Sequence, residues 1–369
     1  MNHTLPTLLL GAALLTGCSA QKPQTDELLM FTGSYAPADS AGVRSFIFNQ
    51  QTGEWSALGG VCGISNPSFI TVDTARSKIY SVGEDAGNSS TINVVNYCAD
   101  GAMTLTATDT TGGGAPCHIT LTPDGSSVVT ANYMGGSITI YNLDADGLPE
   151  GTPRIIRFSG NGPDSARQSQ PHIHQITFTP DASAMLANDL GTDKIHILPS
   201  PFAGNSISDI DMKPGSGPRH TTFSADGRHA YMLSEISGEV TAFAVDSNHL
   251  TPIQTIAADT VGAEGAADIH ISPDGRHLYA SLRLAADGLA VFDIDPTTGT
   301  LTRIGHQPTG PHPRNFAITP NGKYILVACR DSNEIEIYER DSATGRLTLR
   351  GAIPTARPTC IALIASEKK

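Results

Sequence analysis

Gly217-Pro218-Arg219-His220-Thr221-Thr222-Phe223-Ser224-Ala225-Asp226-Gly227-Arg228-His229-Ala230-Tyr231-Met232-Leu233-Ser234-Glu235 reads as one β-hairpin with a charged group at each open end. Asp226-Gly227 is a tight-turn signal, because glycine accepts φ > 0 and aspartate bonds back to its own backbone. The Thr/Phe run before the turn and the Ala-Tyr-Met-Leu run after it suit two antiparallel strands. A hairpin returns its two ends to one edge, so Arg219 and Glu235 are expected to meet on one rim.

The rest of the chain repeats this unit. Strand starts fall at Pro67, Pro116, Ile173, Pro218, Ala266, Pro313 and Pro358, and the first six are followed by turns at Ala75, Asp124, Asp181, Asp226, Asp274 and Asn321. A second hairpin turns at Thr52-Gly53, Asp100-Gly101, Asp146-Gly147, Thr298-Gly299 and Thr344-Gly345, with Ser247-Asn248 serving the same place in another unit. Four strands in roughly 45 residues is the signature of a propeller blade. Seven starts predict an all-β, seven-bladed β-propeller. The seventh start is the last strand of the chain, and residues 28–35 lack a preceding strand. Residues 358–364 are therefore expected to form the innermost strand of the blade that residues 28–58 complete, so that N- and C-terminal strands close one shared blade and leave no open edge.

The chain has 369 residues and a net charge of −13. An acidic chain argues against nucleic acid as a partner, since phosphate binding needs a basic face. Residues 8–15 form an apolar run too short to span a membrane, followed by Leu15-Thr16-Gly17-Cys18. This pattern reads as a lipoprotein signal peptide over residues 1–17, lipidation at Cys18, a polar tether over 18–27 and the propeller over 28–366. The expected location is the periplasmic face of a bacterial envelope, with Ser19 favouring the outer over the inner membrane. Among the remaining cysteines, Cys62 and Cys98 either bridge or stay free, and Cys117, Cys329 and Cys360 complete an odd set of five. No Cys-x-x-Cys motif occurs, and neither a metal nor another cofactor is expected. A monomer is expected.

Scaffold letters recur from unit to unit, but the rim letters do not. Just after the strand starts stand Ser68, Cys117, His174, Arg219, Ala267, Arg314 and Thr359; at the ends of the return strands stand Glu84, Asn132, Asp189, Glu235, Arg283 and Arg330. Unlike residues at equivalent rim positions mark a site. His174, Arg219, Glu235, Asp268, Arg283 and Arg314 are candidates to converge near the axis. The polar stretch 160–170 lengthens one interval and adds a rim loop.

The stretch from Gly217 to Glu235 resembles the seven-bladed propeller lactonases, the group containing 6-phosphogluconolactonase and 3-carboxymuconate cyclase. So do His172-Ile173-His174, Asp189-Leu190-Gly191-Thr192-Asp193, Ala267-Asp268-Ile269-His270, His312-Pro313-Arg314 and Asn132-Tyr133-Met134-Gly135-Gly136. The resemblance implies a catalytic set of His174, Arg219, Glu235 and Arg283. Ser234 and Leu282 stand where the family often has Asn. Arg314, Asp268, Arg330 and Asp189 are assigned to substrate binding.

Lactone hydrolysis needs a deprotonated water, a stabilised oxyanion and a protonated leaving oxygen. Glu235 could serve as base and His174 as acid, with Arg219 and Arg283 on the oxyanion or on an anionic substituent. The expected substrate is a small anionic or sugar-derived lactone. A carboxymuconate-type cycloisomerase and a non-catalytic envelope-binding propeller are the competing readings.

Overall fold

A computed structural model of the chain describes residues 25–202 and 206–366; the expected signal peptide, Cys18 and most of the tether lie outside the described residues. Seven four-stranded antiparallel sheets follow one another around an axis. We number them as blades: blade 1 joins residues 27–61 to residues 358–365, and blades 2 to 7 cover 70–110, 116–157, 173–211, 218–257, 266–308 and 313–354.

The deciding hairpin forms as read. Pro218–Phe223 pairs with His229–Ser234, and Gly227 takes φ +72 at the turn. The Asp226 carboxylate accepts from the Ser224 hydroxyl at 2.7 Å and from the Arg228 amide at 3.1 Å, which fixes the register. Ring closure also forms as read. Pro358–Ala365 is the innermost strand of blade 1, in register with Glu27–Ser34 from Leu28↔Ala365 to Gly33↔Cys360. The first strand starts at Glu27, one residue ahead of the expected domain start. Blade 2 departs from the pattern: its strand begins at Ile70, not Pro67. The Pro67 carbonyl accepts instead from the Ser34 amide of blade 1 at 2.9 Å.

The core lies between blades, because each sheet has two faces to cover. Tyr231, Leu233, Val240 and Ala242 of blade 5 pack on Leu278, Ala280 and Phe292 of blade 6, and Leu28, Met30, Phe46 and Phe48 of blade 1 pack on Tyr324, Leu326 and Ile337 of blade 7. Burying a large apolar side chain is worth about 1.5–3 kcal/mol, so these seams dominate stability. The recurrent return-strand tyrosines and outer-turn glycines meet across them. Tyr80, Tyr231 and Tyr279 donate their hydroxyls to the carbonyls of Gly147, Gly299 and Gly345 in the following blade, at 2.8, 2.9 and 2.8 Å. At Gly345 only glycine fits: φ is +69, and a Cβ would meet His277 Cδ2 at 2.5 Å. Two repeat signatures that look independent in the sequence are thus one joint. All five described cysteines are free; Cys62 and Cys98 are exposed and unbridged.

Candidate active site

The inner strands of blades 3 to 7 slip register just after they start, and this slip builds the site. The shifts fall at Cys117, His174, Arg219 and Arg314, and over Ala267–Asp268 in blade 6. A β-bulge adds an unpaired residue and re-aims its side chain. Two tiers result around the axis. Cys117, His174 and Arg314 line a cavity of about 210 Å³ together with Tyr35, Glu84, Tyr133 and Glu235. The next residues, His118, His220, Asp268 and Asn315, form a deeper buried tier. A larger recess of about 510 Å³ lies between the outer strands of blades 6 and 7 and gathers no comparable charge cluster.

Glu235 is the hub of the upper tier. Its Oε2 accepts from Arg219 Nε at 2.7 Å and lies 3.2 Å from Arg283 Nη2, and its Oε1 accepts from Arg167 Nη2 at 2.6 Å. Burial opposes ionisation, but the Arg283, Arg219 and Arg167 charges outweigh it and hold the carboxyl at about 2. Arg219 also donates to the Ala267 carbonyl, and Arg283 donates to the carbonyls of Gly265 and Ala266 at 2.8 and 3.1 Å. These two guanidiniums sit behind Glu235 and do not line the cavity. Arg314 is the arginine that lines the cavity, and the 35 % exposed Arg167 reaches Glu235 from the solvent side.

Across the cavity, Glu84 accepts from the Ser68 hydroxyl and from the Tyr35 hydroxyl, the latter at 2.9 Å to each oxygen. Arg314 lies 3.9 Å from Glu84 and 5.3 Å over the Tyr35 ring, and Arg357 stacks on the same ring at 5.7 Å. Burial pushes the Tyr35 phenol up, so it stays a donor. Four guanidiniums (Arg167, Arg219, Arg283, Arg314) face two carboxylates (Glu84, Glu235), which leaves a net positive site in an acidic protein.

His174 is 5 % exposed. Desolvation and the nearby Arg219, His220, Arg314 and Arg283 charges pull its pKa well below the usual imidazole range, so it is neutral at pH 7. Its Nδ1 is buried without a protein partner. These environments bear on the roles expected for Glu235 and His174 from the sequence. A carboxylate held near 2 is a poor proton acceptor, and a neutral imidazole is the available base.

All four residues of the expected catalytic set converge, with His174 and Glu235 on the cavity and Arg219 and Arg283 braced behind. Arg314 is placed on the cavity. Three expected substrate ligands are not. Asp189 spends its oxygens on the His172 amide at 2.7 Å, the Gly191 amide at 2.9 Å, the Thr192 hydroxyl at 2.7 Å and His196 at 3.2 Å, so it ties a loop. Asp268 belongs to the deeper tier, where His220, His270 and Asn315 consume its carboxylate. Arg330 turns outward onto Asp331 at 2.6 Å.

The sequence reading missed Arg167 and underweighted Tyr35 and Tyr133. Arg167 rides on the inserted loop, whose neighbouring Gln168 donates to the Leu190 carbonyl at 2.8 Å and to Asp193 at 2.7 Å. The available signal was one arginine inside a polar insertion on the rim that carries the site. Among the described residues no group of three His, Cys, Asp or Glu side chains is arranged to hold a metal ion.

Residues 29–363 match the family model described as lactonase, seven-bladed β-propeller. A 6-phosphogluconolactonase of Formosa agariphila is 34 % identical over 333 residues, 86 % of this chain and 94 % of that one. The 6-phosphogluconolactonase of Bacillus subtilis is 29 % identical over 344 residues, 90 % of this chain and 97 % of that one. Among solved structures, a candidate 6-phosphogluconolactonase from Bacteroides fragilis superposes with a TM-score of 0.88 at 43 % identity, covering 93 % of this chain and 99 % of that one. The periplasmic gluconolactonase of Pseudomonas aeruginosa superposes at 0.85 with 27 % identity, covering 92 % of this chain and all of that one.

Proposed function

Because the chain belongs to the seven-bladed β-propeller lactonase family, we propose that it hydrolyses a small sugar-derived lactone in the axial cavity. The observation that carries this reading is the convergence of a neutral His174, a pinned Glu235 and the Arg314 guanidinium on one space of about 210 Å³. That volume is below the ~300 Å³ where drug-sized ligand sites begin, so the occupant is one small ring.

His174 takes a proton from water as the water oxygen bonds to the lactone carbonyl carbon. Arg314 faces the oxygen on which charge develops; removing such a donor costs ~100- to 1000-fold. The tetrahedral species collapses by breaking the ring C–O bond, and His174 returns the proton to that oxygen, leaving an open-chain hydroxy acid. Glu235, fixed by three guanidiniums, accepts from substrate hydroxyls. Arg167 at the mouth meets an anionic substituent. Arg219 and Arg283 position Glu235 and hold His174 neutral. Carboxymuconate-type lactonisation would use the same cations on carboxylates and is distinguished by the direction of turnover.

The test is titration of acid release from glucono-δ-lactone and its 6-phosphate by purified residues 19–369, beside Glu235→Gln and His174→Ala. Turnover that survives both substitutions, or a folded wild type that opens no lactone on a broad panel, sinks the reading. The lipoprotein reading of residues 1–18 places the enzyme outside the cytoplasm, anchored through Cys18 at the envelope. Phosphorylated sugars of central metabolism are cytoplasmic, so this location favours an unphosphorylated lactone.

A further inference from the structure

The deeper tier contains a line of groups that the lactonase mechanism above leaves unused. His220 Nδ1 donates to Asp268 Oδ1 at 2.8 Å. The same carboxylate receives the Ile269 amide at 3.0 Å on Oδ1, and on Oδ2 it receives His270 Nε2 at 2.9 Å, Asn315 Nδ2 at 2.6 Å and the Phe316 amide at 3.3 Å. This is an ionised carboxylate 2 % exposed at the axis. The bond to Asp268 fixes the proton of neutral His220 on Nδ1, so its Nε2 carries a lone pair. That Nε2 is buried with no protein partner, and so is Nδ1 of His174. The two rings are neighbours, their centroids 5.3 Å apart and their planes inclined at 65°. Two buried orphan nitrogens on adjacent rings call for one explanation, since leaving each unsatisfied costs about 1–3 kcal/mol.

We propose that His174 Nδ1–H is linked to His220 Nε2 through one bridging water, so that His220 and Asp268 act as positioning residues for His174. Every donor in the chain then points one way: His174 toward His220, and His220 toward Asp268. Such aligned chains polarise one another in a low-dielectric interior. The link puts the His174 lone pair on the ring nitrogen that meets the cavity. When that nitrogen takes the proton of the attacking water, the new charge is stabilised through His220 by Asp268; no proton leaves the chain, and His174 returns its own to the ring oxygen. Arg219, Arg283, Arg314 and His220 oppose charge on His174, the Tyr133 ring lies edge-on at 5.7 Å, and Glu84 and Glu235 share its cavity. A buried carboxylate behind His220 offsets that cationic surround.

This inference rests on the lactonase reading, but one arm of its test does not. In protein labelled with ¹⁵N-histidine, the His174 ring, assigned by loss of its signals in His174→Ala, is expected as the Nδ1-protonated neutral tautomer at pH 7.5. An Nε2-protonated tautomer overturns the proposal whether or not any lactone is opened. In the activity arm, His220→Phe removes the acceptor, while His220→Gln can accept from His174 through Oε1 and donate to Asp268 through Nε2. We expect His220→Phe to lower kcat by about 10-fold or more, a part of the ~100-fold or more that a positioned base supplies. KM should stay within twofold, and the acid limb of the kcat profile should move to lower pH. His220→Gln should recover most of the loss. Equal kcat in wild type and His220→Phe, or a loss that His220→Gln shares without a change of tautomer, refutes the positioning role. If His220→Phe fails to fold, the wild-type tautomer and the His220→Gln rate decide.

Discussion

Arg219 Nε and Glu235 Oε2, sixteen residues apart in sequence, stand 2.7 Å apart across the open end of one hairpin, and the guanidinium that makes the contact is 1 % exposed. A buried charge persists only if paired and hydrogen-bonded. Arg219 meets that condition through Glu235 and the Ala267 carbonyl, and Arg283 leans on the same carboxylate. Glu235 therefore carries the stability of two buried cations.

Glu235→Ala should destabilise the fold by about 3–5 kcal/mol, the cost of breaking a buried pair from one side. Glu235→Gln keeps an acceptor oxygen and should lose less. Urea denaturation of both variants measures this. An alanine variant as stable as wild type contradicts the account of the cluster.

Arg167→Ala should behave differently, because the side chain is 35 % exposed and its pairing with Glu235 is partly screened. Stability should change by no more than about 1 kcal/mol. If Arg167 meets an anionic substituent, KM should rise for phosphorylated or carboxylated lactones and stay near wild type for neutral ones. The comparison is a KM ratio on the two substrate types; an equal rise on both removes Arg167 from recognition of charge.

The fold was legible because its two repeat signatures are physical necessities. Asp226-Gly227 and its equivalents close inner hairpins, and Gly299 and Gly345 accept the hydroxyls that lock neighbouring blades. The unlike rim letters marked His174, Arg219, Glu235, Arg283 and Arg314 for the same reason: nothing in the scaffold requires them. What the letters did not carry was direction. The register slips at Pro116/His118 and Pro313/Asn315 decide that Cys117 and Arg314 face the cavity and His118 and Asn315 the deeper tier, and no turn motif announces them. Asp268 was assigned to substrate for want of that one-residue distinction. Arg167 escaped because a loop insertion has no period, and its contact with Glu235 spans 68 residues.

Acid should loosen this protein before its carboxylates titrate. His118 and His174 are held well below 6.5, His220 at about 4 and His312 at about 3, each led by desolvation. A histidine with a depressed folded pKa binds its proton more readily when unfolded. Its contribution is complete above 6.5 and is lost as pH falls toward the folded value. His270, raised by the Asp268 charge against the desolvation of burial, works in the opposite sense. His277 is lowered in the same sense, and five depressed groups against one raised group predict a melting temperature that declines from pH 6.5 downward, with Glu235 adding its share between 4.5 and about 2. Thermal melts from pH 8 to pH 4 provide the measurement; a flat profile down to pH 4.5 rejects the prediction.

The lipid anchor is tested by labelling. Expressed in a bacterial host with radiolabelled palmitate, the full chain should incorporate label and fractionate with membranes, whereas Cys18→Ser should lose both. Unlabelled wild-type protein found free in the periplasmic fraction would leave the export reading and remove the anchor.

The strand Pro358–Ala365 does more than finish blade 1. It pairs with the first strand through Leu28↔Ala365 to Gly33↔Cys360, its Thr359 hydroxyl donates to the Ser68 carbonyl of the blade 2 entry at 2.8 Å, and its Ile361 amide donates to Asn315 Oδ1 of blade 7 at 2.8 Å. Tyr35 leaves the end of that first strand and Ser68 bonds Glu84, so both sides of the Glu84 half of the cavity hang on the closure. Ending the chain at residue 357 exposes the inner edge of Glu27–Ser34 and strips those ties, while the Glu235 half keeps its own hairpin. The truncated protein should associate through the bared edge and should bind small anions at Arg314 more weakly. A synthetic peptide of residues 355–369 should restore the oligomeric state of the full chain when added in trans. Monomeric truncated protein with a wild-type melting temperature would show that the seam between blades 1 and 7, and not strand exchange, holds the ring shut.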